Sequence, residues 1–182
     1  IFAQALDYGV GIVTNFEIDE INILNASFLA MHRAIDALKK CKPEHLLIDG
    51  NRFNPYKTIP HSCIIKGDSL FQSIAAASII AKTTRDNIMA ALHIKHPEYD
   101  WLKNKGYPTK KHRKAIKEFG PTPEHRMTFN LLGGENQLKL YCSGFLLRSK
   151  PQDANPYKRQ VDQRRRHEPS ILLQRWFLRL GY

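Results

Sequence analysis

Two carboxylates stand where they could share chemistry. Asp49 closes the apolar run His45-Leu46-Leu47-Ile48, and Asp68 follows Ser62-Cys63-Ile64-Ile65 by way of Lys66-Gly67. Short apolar runs bounded by turn residues predict strands, so each acid falls just past a strand's carboxyl end. The loop between them, with Pro55 and Pro60, allows the two strands to be neighbours and the carboxylates to converge. Carboxylate oxygens are hard ligands suited to Mg²⁺ or Mn²⁺, and a pair of such ions can clamp the attacking and leaving oxygens of a phosphodiester. Metal-assisted phosphodiester hydrolysis is the chemistry this pair would support. The same positions also suit plainer duties, Asp49 capping the Asp-Gly turn and Asp68 capping a helix, and spacing alone does not separate the two readings.

Cationic and aromatic residues extend the pattern. Lys66 flanks Asp68, and Lys82-Thr83-Thr84-Arg85 lies on the following helix, where such groups can meet phosphates. For Arg85 and Asp86 a solvated helix face with local pairing is the expectation, and Asp86 stays outside the site. Between residues 95 and 126, nine Lys and Arg face four acids and are interleaved with Tyr99, Trp101, Tyr107 and Phe119. Such a mixture suits a nucleic-acid groove, in which rings stack and cations meet phosphates. Tyr107, between Gly106 and Pro108, is the ring a tight loop would present outward, with burial in the core as the alternative. His93, His96 and His112 lack further ligands at metal spacing and are expected to be structural or solvated.

The elements that must position these residues alternate. Residues 8–14, with apolar positions among Gly9 and Gly11, predict a strand. Thr14 with Glu17 predicts a capping box, and Ile21, Leu24, Phe28, Met31, Ile35 and Leu38 draw one stripe along a helix ending near Lys39-Lys40. Strands at 45–48 and 62–65 follow. A long helix from Leu70 to about His93 carries the stripe Ile74, Ala77, Ala81, Ile88 and Leu92, and a shorter one spans about 110–119 before Gly120-Pro121. Helices alternating with strands indicate an α/β layer.

Composition sets the frame. The chain has 182 residues, 42% hydrophobic and 25% charged, and a net charge of +11 that points to a polyanionic partner. No apolar run approaches the ~18 residues of a membrane span. Cys41, Cys63 and Cys142 are too few and too widely spaced for a disulfide framework or a zinc clip, which fits a reducing, cytoplasmic setting. Residues 133–182 hold ten Lys and Arg against four acids and, between Pro151 and Pro169, little apolar content, so they are expected to form a basic tail with a short amphipathic segment near 171–178. The amino end, Ile1-Phe2-Ala3-Gln4, has neither an initiator Met nor a signal-peptide pattern.

The motifs together resemble the ribonuclease HII (type 2 ribonuclease H) family. They are Glu17-Ile18-Asp19-Glu20-Ile21-Asn22, Leu47-Ile48-Asp49-Gly50-Asn51, and Lys66-Gly67-Asp68-Ser69 running through 73–86. Lys105-Gly106-Tyr107-Pro108-Thr109 and Gly120-Pro121-Thr122-Pro123-Glu124-His125-Arg126-Met127-Thr128-Phe129 complete the set. The resemblance covers about residues 1–132 and implies an α/β, ribonuclease H-like catalytic domain. It further implies an endonuclease that cuts the RNA strand of RNA–DNA hybrids and nicks duplex DNA 5′ of an embedded ribonucleotide, leaving 5′-phosphate and 3′-hydroxyl ends with Mg²⁺ or Mn²⁺. Asp49 and Asp68 would be two of four metal-binding acids, Tyr107 the ring at the RNA-to-DNA junction, and Lys66 a phosphate neighbour.

One departure accompanies the match. The family's first strand carries an Asp-Glu pair followed by Gly-Arg-Gly, and no such run occurs here. Asp19-Glu20 opens an amphipathic helix and is no substitute. The expectation is an amino-terminally truncated domain at 1–132 that lacks half of the metal site and its first strands, with 133–182 as a tail. A basic nucleic-acid-binding module without catalysis is the rival, for which the cationic groove suffices.

Overall fold

The structure, a computed structural model, describes residues 1–132, so the expected tail and its 171–178 segment lie outside the described residues. Helix α1 (Asn15–Asp36) starts as the sequence requires. Thr14 Oγ1 accepts from the Glu17 amide while Glu17 reaches back to the Thr14 amide, a closed capping box. Arg33, more than four turns along, donates to Glu17 and to the Ile12 carbonyl, tying the incoming segment to the body of the helix. At Asn22 the backbone leaves helical geometry, and the Asn22 side chain accepts from the amides of Leu24 and Asn25, recapping the helix as it restarts.

The expected strand at 8–14 does not form. The segment is extended but lies on α1, where a Cβ at Gly9 would stand 2.0 Å from the Ala34 carbonyl oxygen and one at Gly11 1.8 Å from that of Ala30. The glycines therefore mark a close backbone approach to a helix, which a strand pattern read from alternation cannot distinguish. Helix α1 also stops at Asp36 rather than near Lys39-Lys40, because the amides of Lys39, Lys40 and Cys41 turn toward the Asp7 carboxylate.

Strands β1 (Leu46–Asp49) and β2 (His61–Ile64) pair in parallel, with Leu46 opposite His61 and Asp49 opposite Ile64. They are the only two strands of the sheet among the described residues. The connection between them carries Phe53 and Tyr56 into a core cluster with Phe28, Leu46 and Ile48, so β1 is sandwiched between α1 and its own crossover. After β2 come one helical turn, α2 (Gly67–Leu70), and the long α3 (Gln72–Lys95), separated by the extended Phe71. Of the expected α3 stripe, Ile74 is buried together with Ile80 and Met89, whereas the alanines are only half-buried. No helix among the described residues is long and apolar enough to cross a membrane.

A second core closes the carboxyl half. Helix α5 (Lys110–Phe119), capped by Thr109, packs Ala115 and Ile116 against Met89, Trp101 and Tyr99. The short α4 (Trp101–Asn104) completes this wall. His112 and His125 stack face to face beside Tyr99 and Trp101. His112 is thus structural, as expected; His125 joins it because its Nδ1 accepts from the Thr122 amide, leaving the proton on Nε2. The loop 120–129 is fastened to α1, since buried Asn15 donates to the carbonyls of Pro123 and His125, and Asp19 accepts from the amides of Met127 and Thr128.

The two charge-bearing anchors respond to pH in defined ways. The Arg33 guanidinium holds the Glu17 carboxyl at about 2, below its ordinary 4.5. The folded value lies below the unfolded one, so this contribution is present above pH 4.5 and is lost as pH falls toward 2. Glu17→Gln should lower unfolding free energy by about 1 kcal/mol near neutral pH and flatten that acid limb in urea titrations. Burial, aided by neighbouring His112, pushes His125 down from 6.5 to about 3. It too stabilises the folded state when deprotonated, with the benefit lost as pH falls from 6.5 toward 3. Imidazole NMR signals of His125 should show no protonation step at pH 5; a midpoint near 6.5 would contradict the packing.

Candidate metal and nucleic-acid site

Parallel pairing sends the carboxyl ends of β1 and β2 the same way, and this is what brings Asp49 beside Gly67, the residue before Asp68. Asp49 is the last residue of β1, and Asp68 lies in the first turn of α2, directly after β2. Two hydrogen bonds clasp the junction: the Gly50 amide donates to the Ile64 carbonyl at 2.9 Å, and the Gly67 amide to Asp49 Oδ1 at 3.0 Å. Lys66 supplies the bend, adopting a left-handed conformation (φ 57°, ψ 37°) that turns the chain out of β2 and into α2. Gly67 is buried against Ile74, whose Cδ1 would stand 2.6 Å from an added Cβ, so only glycine seats comfortably this close to Asp49. Asp68 is not the helix cap that the plainer reading allowed, since the capping position belongs to Lys66.

The donor set suits a hard divalent ion. Asp49 Oδ2 takes no hydrogen bond among the described residues, while Oδ1 is oriented by the Gly67 amide, the arrangement expected of a carboxylate held in place from behind. Mg²⁺ commonly uses one or two carboxylates and completes its shell with water and substrate phosphate. Asp49 offers one such carboxylate, and Asp68 follows directly on the Gly67 that holds it, while among the described residues no group of three His, Cys, Asp or Glu offers a closed cage. Asp19 is committed elsewhere, to Met127, Thr128 and Arg126, as a structural clasp.

Tyr107 is partly exposed, on the rim of the second core. Its loop is built by hydrogen bonds on both sides: the Tyr107 amide donates to the Asn104 carbonyl, and the Tyr107 carbonyl accepts from Thr109, the residue that caps α5. Buried Asn104 accepts from the Gly106 amide through Oδ1 and donates to the Tyr99 carbonyl through Nδ2. Lys105 (φ 50°) and Gly106 (φ 84°) both lie in the left-handed region, which reverses the chain within two residues. Arg85 is not on a solvated face as expected. It is half-buried and donates from Nη2 to the Lys105 carbonyl at 2.8 Å, and burial lowers its pKa. Asp86 does pair locally, with Lys82 at 3.7 Å. Sequence reasoning missed Arg85 because a periodic helix pattern does not reveal which loop lies across a given turn.

Gly106 offers a direct check on this geometry. Gly106→Ala places a Cβ at positive φ, 3.3 Å from Met89 Cε and 3.4 Å from Arg85 Nη2, and should lower unfolding free energy by about 1 to 2 kcal/mol in denaturant titrations.

Comparison with known proteins joins these observations. The profile described as Ribonuclease HII matches residues 3–132. Curated proteins named Ribonuclease HII from Phocaeicola vulgatus and Bacteroides thetaiotaomicron are 65% and 66% identical over 137 residues, which is 75% of this chain and 68% of each relative. One from Christiangramia forsetii is 60% identical over the same length. The matched span carries both aspartates, the tyrosine loop and the α1-fastened loop 120–129 on one α/β framework of the ribonuclease H-like class. The chain belongs to the ribonuclease HII family of ribonuclease H type hydrolases.

Proposed function

We propose that residues 1–132 are part of a ribonuclease H-like catalytic domain whose intact form, completed by the family's Asp-Glu strand, hydrolyses the RNA strand of RNA–DNA hybrids and cuts 5′ of single ribonucleotides in duplex DNA, leaving 5′-phosphate and 3′-hydroxyl ends. The reading rests on one observation above others, the Asp49–Gly67 clasp at the shared end of two parallel strands. Asp49 and Asp68 would hold Mg²⁺ or Mn²⁺. Such ions, when bound, lower the pKa of an attacking water and neutralise developing phosphate charge. The chain's own part is positional. The Gly67 amide fixes the Asp49 carboxylate, and Lys66 brings a cation beside Asp68 to meet a phosphate. Tyr107 presents a ring to the sugar at the RNA-to-DNA junction, where the 2′-hydroxyl separates RNA from DNA. The net charge of +11 favours association with the duplex backbone. Exposed free Cys41 and Cys63 suit a reducing, cytoplasmic setting.

Asp49→Asn is the discriminating variant, because the amide oxygen can still accept from Gly67 while the negative charge is lost. With Mn²⁺, a duplex containing one ribonucleotide and the domain completed by the family's Asp-Glu strand, cleavage should fall at least about hundredfold on this substitution, the scale of losing one electrostatic stabiliser, with folding unchanged. Undiminished cleavage by Asp49→Asn would overturn the assignment. Salt-sensitive duplex binding by the completed domain, with no cleavage, would favour a non-catalytic binding module instead.

A further inference from the structure

We propose that Arg85 is a positioning residue for ribonucleotide selection: from α3 it grips the Lys105 carbonyl and thereby fixes the loop that carries Tyr107. This deepens the function proposed above and rests on it. The placement of Arg85 is an expensive one. Arg85 is half-buried, and desolvation of its guanidinium, the largest influence on it, lowers its pKa, so the charge is held there against solvation.

What the guanidinium gains is a charge-assisted hydrogen bond to a backbone carbonyl, at 2.8 Å. That carbonyl belongs to Lys105, which is left-handed, and precedes Gly106, which is left-handed as well. A carbonyl inside such a reversal cannot join a helix ladder, so a donor from outside the loop is needed to fix its direction. Gly106 packs within ordinary contact distance of the Arg85 tip, with an added Cβ only 3.4 Å from Nη2.

Other fastenings of the loop, at Asn104, Gly106, Tyr107 and Thr109, come from within residues 99–113. Arg85 is the donor that ties it to α3, the helix that follows the Asp68 turn. The tyrosine loop and the aspartate pair are thereby referred to one rigid element. Lysine would replace this only in part, since its single ammonium lacks the planar fork that lets Arg hold a carbonyl while its flank packs on Gly106.

The test uses the full chain and four variants: Arg85→Met, Arg85→Lys, Tyr107→Ala and the Arg85→Met/Tyr107→Ala double. The first readout is amide hydrogen exchange, which needs no substrate. Arg85→Met should speed exchange at Tyr107 and Thr109 by about tenfold while the α5 amides keep their protection, with Arg85→Lys intermediate. The second is the preference for a duplex containing one ribonucleotide over the all-DNA duplex, measured as binding without divalent ions. Arg85→Met and Tyr107→Ala should each reduce it by about five- to tenfold, and the double variant should be no worse than Tyr107→Ala alone. A merely structural role would give additive losses and faster exchange throughout α5, and either result overturns the proposal, as does unchanged loop exchange. Failure of the underlying function is separately visible, since the unsubstituted chain would then show no preference for the ribonucleotide, and Arg85's part in selection would fall with it.

Discussion

The structure turns on the contact between the ends of two short strands. In a parallel pair the carboxyl ends face the same way, and the Asp49–Gly67 hydrogen bond locks them together. It pins the residue after the left-handed turn at Lys66 to the end of β1, and so fixes where Asp68 leaves the sheet. Everything around the clasp serves to hold the pair in register. Helix α1 and the crossover aromatics Phe53 and Tyr56 cover β1, and Ile74 seals Gly67. Cores of this kind are set by packing, so the position of a carboxylate is specified by apolar neighbours that never touch a ligand.

A second principle recurs: loops are fastened by single polar side chains reaching from other parts of the chain. Asp7 gathers the amides after α1, Asn15 and Asp19 bind the 120–129 loop, and Arg85 holds the Lys105 turn. In each case an irregular backbone group that no ladder can satisfy is met by a side chain. Several motifs that carry the family resemblance are the two halves of such a clasp. Residues 17–22 and 120–129 are far apart in sequence, and Asp19 with Met127 and Thr128 shows why they belong together.

Much of this was legible in the sequence. The capping box at Thr14 and Glu17, the two strands with their terminal acids, and α5 at Lys110–Phe119 follow from local chemistry, because caps, apolar runs and glycine stops act over a few residues. The failures are long-range. Gly9 and Gly11 read as a weak strand because alternation cannot reveal a helix pressed on the backbone, and α1 ended early because Asp7 waits some thirty residues upstream of the amides it collects. Arg85 read as a surface residue because its partner lies on another element, and His125 went unnoticed because nothing in its neighbourhood signals a ring stack. At the site, residue types and strand ends were readable, whereas the amide that orients Asp49 emerged only from the three-dimensional arrangement.

The central claim, that Asp49 and Asp68 act as one divalent-ion site, is tested most directly by adding Mn²⁺ to the isotopically labelled chain and recording which amide signals the paramagnetic ion broadens. The account predicts broadening centred on Asp49, Gly50 and Gly67 to Ser69, abolished by Asp49→Asn while the rest of the spectrum is retained. Broadening centred elsewhere, or unchanged by that substitution, would contradict it.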